Sequence, residues 1–266
     1  MSASMPVFRR SLVSSWRGLV GWTIGLAAVA LLYLPLYPSM AGNGRMAELV
    51  KSLPQELTRT IGYDQISTGS GYVQSTFFGL MGFLLTTIAA VAWGSRAIAG
   101  FEESGRLELD LAHGIGRAQY ALEQSLAILV RLLWLGAASA ALIWALDGPS
   151  ELHLDPAHLL GATVSLVGLA ALHAAVGLLA GALAGRRAWA LGAAAGVAVL
   201  GYVLQAVAKQ SPDAEWLRNL SPYSWVFRDA PLTHGADAPM VALTWGLAVA
   251  ASIAAAFALR SRDLRG

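Results

Sequence analysis

The sequence contains no cysteine, which removes disulfides, thiolate metal sites, cysteine nucleophiles and thiol redox chemistry together. Lysine is nearly absent too. Lys51 and Lys209 are the only two, and the chain holds no G-x-x-x-x-G-K-[ST] phosphate loop. Charged side chains make up 13% of the 266 residues, about half the share of an average soluble domain, while 56% are hydrophobic. With a mean hydropathy of +0.57, the composition excludes an ordinary water-soluble globule. The net charge of +2 is small. Basic residues stand scattered at the ends of apolar runs without interleaved aromatics, which marks topology and not a nucleic-acid surface.

What fills the chain is six apolar stretches of about 20 residues, each long enough to cross a hydrocarbon core of about 30 Å. They predict membrane spans near 18–37, 72–93, 125–146, 159–183, 189–207 and 240–259. Arg9 and Arg10 before the first run, with Ser39-Met40-Ala41 after it, imitate a twin-arginine signal. The run is longer than a signal core of about 7 to 15 residues, and five more spans follow, so a membrane helix is expected. Six spans put both termini on one side. With that side cytoplasmic, the inner segments carry eleven Lys and Arg against six in the outer ones, as the positive-inside bias requires. Trp22, Trp93 and Trp189 then fall near the inner interface, and Trp144 and Trp245 near the outer one. The expected fold class is an all-α integral membrane protein with cytoplasmic termini and a single transmembrane domain over residues 1–266.

Outside the spans, residues 6–17 set Phe8, Leu12, Val13 and Trp16 among Arg9, Arg10 and Arg17, predicting an interfacial helix on the inner leaflet. Residues 46–61 carry Met46, Leu49, Val50, Leu53, Leu57 and Ile61 near helical spacing, interrupted at Pro54, and predict short amphipathic external helices. Gly177, Gly181 and Gly185, four apart, followed by Gly192 and Gly196, predict close packing of the fourth and fifth spans.

Chemistry is sparse inside the spans. Every acidic residue lies outside them, and the ionisable residues well within are Arg131 and His173. Arg131 at a helix centre costs about 2.5 to 3.5 kcal/mol, against roughly 3 to 6 kcal/mol from ten Leu, Ile and Val residues in the same span, so insertion wins. Its guanidinium either snorkels toward the inner headgroups or lines a substrate path; His173 suits an interhelical hydrogen bond. Proton and sodium relays place carboxylates at midplane, and none is there. Backbone carbonyls can also bind ions, so a secondary transporter stays open as an alternative. A second alternative is an intramembrane protease, since Glu102-Glu103-Ser104-Gly105-Arg106 resembles the paired-glutamate motif of CAAX-type membrane proteases. Two residues instead of three separate Glu103 from Arg106, and no His-bearing helix supplies a metal's other ligands. Gly69-Ser70-Gly71 suggests a rhomboid-type serine without a histidine to activate it.

Two longer stretches carry a resemblance. Residues 97–119, AIAGFEESGRLELDLAHGIGRAQ, resemble the loop between the second and third helices of type-2 class ABC exporter permeases, in which an E-E-x-G-x-L-E-L-L-L run precedes P-x-S-R. Glu102, Glu103, Gly105, Leu107, Glu108, Leu109, Leu111 and Arg117 match, whereas Asp110 replaces a leucine and Gly114-Ile115-Gly116 replaces Pro-Val-Ser. Residues 219–227, NLSPYSWVF, are similar to the family's external segment before the last helix, and 257–263 to its Arg-rich ending with Asp.

The resemblance implies a single permease domain in the bacterial cytoplasmic (inner) membrane, the membrane-spanning subunit of an ATP-driven ABC exporter. Such a subunit forms the pathway as a dimer with a second copy or paralogue, and moves a hydrophobic or amphiphilic substrate. It is not itself an enzyme and holds no cofactor. ATP and Mg belong to two separate ATPase subunits, which dock on the loop after the second helix, here about 94–120. The implied coupling residues are Glu102, Glu103, Gly105, Leu107, Glu108, Leu109 and Leu111. The residues themselves supply a rationale: Leu107, Leu109 and Leu111 alternate with Glu108 and Asp110, and Glu102 and Glu103 suit a helix N-terminus. On this expectation the glutamates anchor the ATPase and Leu107 and Leu109 touch it. The plain alternative is a solvated connector.

Overall fold

Inside a bilayer no water satisfies backbone N–H and C=O groups, so each apolar run must bond them internally as a helix. The computed structural model describes residues 5–41 and 68–262. Six helices there are long and apolar enough to cross a membrane: α1 (Pro6–Ser39), α2 (Gly69–Glu103), α4 (Arg117–Asp147), α5 (Pro156–Ala184), α6 (Arg187–Gln210) and α9 (Ala238–Ser261). Among the described residues, three short α-helices, α3 (Arg106–Ala112), α7 (Pro222–Phe227) and α8 (Pro231–His234), and a 3-10 helix (Pro212–Leu220) lie between them. The protein is an all-α, multi-pass membrane protein, and each expected span is the middle of a longer helix. The external helices expected over 46–61 lie outside the described residues.

The interfacial helix expected over 6–17 is not a separate element. The helix runs unbroken from Pro6 to Tyr33. The physical reason is that the polar residues of this segment bond to protein: Phe8 N donates to Glu123 Oε2 at 2.9 Å, Arg10 pairs with Asp110, and Ser11 Oγ donates to Gln124 Oε1 at 3.1 Å.

α5 is the hub, packing against α2, α4, α6 and α9. Small residues permit it. A Cβ at Gly177 would sit 3.2 Å from Ser95 N and from Ala194 Cβ, and one at Gly181 would sit 3.2 Å from Ala99 Cβ, so the glycine stripe seats α5 on α2 and α6 at once. Gly192 and Gly196 of α6 face open space, so the seam's glycines are those of α5, and α6 meets them with Ala190 and Ala194. Asp155 starts α5 by accepting from His158 N at 3.1 Å and Ala157 N at 2.7 Å, with Pro156 at the first helical position. Those two N–H groups hold the Asp155 carboxyl below the usual carboxylate range.

At the end of the bundle opposite α3, the NLSPYSWVF segment is a plug. Ser221 caps α7 by accepting from Ser224 N at 3.0 Å and donates its hydroxyl to Gly201 O of α6 at 2.6 Å. The Tyr223 hydroxyl donates to Gly79 O of α2 at 2.9 Å, and its ring lies 4.9 to 5.3 Å from those of Phe83, Tyr202 and Phe227. Ser224 bonds Gln205, and Gln74 Oε1 accepts from Leu232 N of α8 at 2.9 Å. Apart from the Ser221 cap, each of these bonds joins two elements, and all are made by neutral groups.

Candidate functional site

Most of the 94–120 segment is helical. α2 continues through a π-type turn at Arg96–Gly100 to Glu103. Gly105, at φ +70°, reverses the chain, its N–H donating to Glu102 O at 2.9 Å, and α3 begins at the next residue. A side chain there would strain the backbone, which gives the glycine of the E-E-x-G run a physical cause. The paired glutamates therefore end α2 and do not start α3, contrary to the expectation. Glu108 occupies the first turn of α3 instead.

Two carboxylates at a helix C-terminus oppose its dipole and need cationic partners. Glu102 finds one in Arg262, at the end of α9. Arg262 Nη1 also donates to Ala182 O at 2.8 Å and Gly181 O at 3.2 Å, and its carbonyl accepts from Arg117 Nη1 at 2.7 Å. One residue thus joins the ends of α2, α5 and α9 to the start of α4. Glu103 Oε1 accepts from Arg187 N at 2.8 Å and so caps the first turn of α6. The turn between α5 and α6 fits around this clasp because Gly185, at φ +64°, carries no Cβ; one would lie 2.9 Å from Glu102 Oε1.

α3 presents two faces. Leu107 is fully buried in a cluster with Val7, Ile98 and Tyr120, and Asp110, also buried, pairs with Arg10. Leu111 is half-buried on the same side, while Glu108 and Leu109 point outward, Leu109 at 64% exposure. The alternation of the sequence is thus resolved by a helical period: residues 107, 110 and 111 share the inner face. Leu107 is consequently not a surface contact and Glu102 is engaged within the chain, so the roles expected for these two do not match their placement, whereas Glu103 is exposed and bonds Arg187 N through one carboxylate oxygen. Asp110, which stands where the resembled loop has leucine, has its charge met by Arg10.

Arg131 and His173 are not part of this assembly. Arg131 is buried on α4, its guanidinium 4.9 Å above the Trp93 ring. His173, buried on α5, lies 3.5 Å from Thr87 Oγ1 and edge-on to Phe83. Glu123 is a buried carboxylate that the span boundaries passed over. It lies in the part of α4 preceding the expected third span and accepts from Phe8 N and from Gln119 Nε2 at 2.7 Å. Its sequence signal was Gln119, four residues away on the same face. Among the described residues no group of three His, Asp or Glu is placed to hold a metal.

The family model described as multidrug efflux system permease Rv1217c, C-terminal domain, matches residues 12–260. No curated protein matches the chain.

Proposed function

Since the chain belongs to the family of the multidrug efflux system permease Rv1217c, C-terminal domain, we propose that it is the membrane-spanning subunit of an ATP-driven exporter in the bacterial inner membrane. It is a transporter permease. In this reading two six-span units, identical or paralogous, enclose the pathway, two separate ATPase subunits hold ATP and Mg, and the cargo is hydrophobic or amphiphilic.

One observation carries the coupling role: α3 is held to the bundle by its inner face while Glu108, Leu109, Ala112 and His113 remain exposed beside the Glu102–Arg262 clasp. A push on that outer face reaches α1 through Asp110 and Arg10, and α2 through the Gly105 turn. From there the clasp leads to α5, α6 and α9. Leu109 is the apolar contact, and Glu102 and Glu103 are positioning residues that transmit what the ATPase does.

The test is Leu109→Arg, introduced into the permease purified with its ATP-binding subunits from native membranes. A charge in the centre of an apolar contact should cost about 2 kcal/mol or more, a loss of roughly thirtyfold in assembly, with membrane insertion intact. Wild-type ATPase association and vesicle transport in that variant would overturn the docking role. Transport by the isolated permease on an ion gradient, without ATP, would instead favour a secondary transporter.

A further inference from the structure

On one face of α1, Ser11, Ser14, Ser15 and Gly18 recur at i, i+3, i+4 and i+7, small side chains in a helix otherwise rich in Leu, Val and Trp. The space they leave is a cavity of about 260 Å³, closed on its other sides by α2, α3 and α4, which send Arg96, Arg106 and Arg131 to its wall. Ser14 and Gly18 are exposed, so the cavity reaches the surface of the bundle along α1.

Arg131 is 5% exposed. Its Nε donates to Ala127 O at 2.9 Å and its Nη2 to Ser11 Oγ at 3.2 Å, which occupies two of the five guanidinium donors. No carboxylate among the described residues lies within ion-pair distance of it, nor of Arg96 or Arg106, which flank the Phe101 ring at 5.6 and 5.1 Å. The buried acids of α3 and α4 are committed elsewhere, Asp110 to Arg10 and Glu123 to Phe8 N and Gln119. Burying the Arg131 guanidinium without a counter-charge is unfavourable, and Arg106, half-buried, and Arg96, exposed, add further positive charge to the same cavity wall. A wall of positive charge with no carboxylate partner fits an anion.

Depth selects the kind of anion. Arg131 lies sixteen residues before Asp147, or about 24 Å along α4, and with the α3 end cytoplasmic this is the inner third of the bilayer. Its bond back to Ala127 turns the guanidinium toward the inner headgroups. A basic pocket between helices at that level meets lipid phosphate before anything else, and guanidinium forks match phosphate oxygens.

We propose that this cavity binds the phosphate of an anionic amphiphile entering from the inner leaflet, with Arg131, Arg96 and Arg106 as its ligands. The site stands on the six-span orientation and is independent of the ATPase assignment, so either can fail alone.

Purified permease in phosphatidylcholine nanodiscs, with and without phosphatidylglycerol, tests it without any ATPase. Thermal stability and lipid retention by native mass spectrometry are read for the wild type, Arg131→Gln and the Arg96→Gln/Arg106→Gln pair. Phosphatidylglycerol should be retained over phosphatidylcholine by the wild type, with roughly fivefold weaker retention for each arginine removed. In phosphatidylcholine alone Arg131→Gln should be at least as stable as wild type, because an uncompensated charge has gone; with phosphatidylglycerol the order should reverse. A variant destabilised equally in both lipids would mean that Arg131 serves only Ser11, Ala127 and Trp93, and would overturn the proposal. Inorganic phosphate alone should not stabilise the wild type; stabilisation by it, lost in the variants, would assign the site to a free anion and overturn the lipid source.

Discussion

The two ends of the bundle are held together by different chemistry. At the α7–α8 end the bonds that tie the helices together are neutral: Tyr223 to Gly79, Ser221 to Gly201, Ser224 to Gln205, Gln74 to Leu232, with an aromatic cluster packed among them, while the ion pairs of Arg218 and Arg228 with Glu215 lie on the partly exposed rim. At the α3 end the bonds are ionic and partly wet: Arg10 with Asp110, Glu102 with Arg262, Glu103 against the first turn of α6. Neutral bonds sealed from water are lost only by unfolding, whereas half-exposed ion pairs exchange with water and salt at modest cost. One end is therefore built as a fixed closure and the other as a set of joints, and the joints lie beside the surface where a partner is proposed to act.

The comparison breaks most readily at the fixed end. Tyr223→Ala removes a ring in contact with three others and a buried hydrogen bond, and should destabilise by about 3 to 5 kcal/mol in a reversible detergent-unfolding measurement. A loss under about 1 kcal/mol there would mean that the plug is not a closure. The joint end should respond less in stability and more in function. Glu102→Gln leaves Arg262 with its carbonyl partners but no counter-charge; about 1 to 3 kcal/mol should be lost, and ATP-driven transport should fall further than assembly does. Adding Arg262→Gln should cost less than the two single losses summed, since the residues share one bond. Strict additivity in that cycle would detach the clasp from the mechanism.

The smallest effect belongs to Asp155, which lies at the fixed end yet is fully solvated. Its carboxyl is held below the ordinary range, so its contribution is present at neutral pH and is lost as pH falls through the lowered value. Asp155→Asn keeps an acceptor for the same two N–H groups, so its stability should be flatter than wild type in acid and nearly equal at pH 7, followed by melting temperature across that range.

The six spans were legible because length and hydropathy alone decide what a bilayer accepts, and no tertiary knowledge is needed to read them. The boundaries were not, since α1, α2 and α4 run on past the apolar runs into segments whose polar residues bond to each other. α3 shows the limit clearly. Leu107, Leu109 and Leu111 alternate in sequence, yet only a 3.6-residue period separates buried Leu107 from exposed Leu109, and seven residues are too few for that period to declare itself. The clasp was beyond local reading. Glu102 and Arg262 are 160 residues apart, and no spacing rule reports a bond of that reach. The family likeness marked the glutamates and the arginine-rich ending as separate motifs; their meeting is a fact of packing.

Arg262 also orders events during synthesis. Glu102 and the carbonyls of Gly181 and Ala182 are complete as chemical groups once α2 and α5 have been made, but the guanidinium that serves them follows only after the sixth helix. At translation rates of about 5 to 20 residues per second, the 160 residues between Glu102 and Arg262 correspond to roughly 8 to 32 s during which the carboxylate waits. Until then the Glu102 clasp is unmade, and α9 is the helix that brings the arginine to complete it. A nascent chain arrested before α9 would present an unpaired carboxylate and two bare helix-end carbonyls, a local signature by which unfinished copies differ from finished ones.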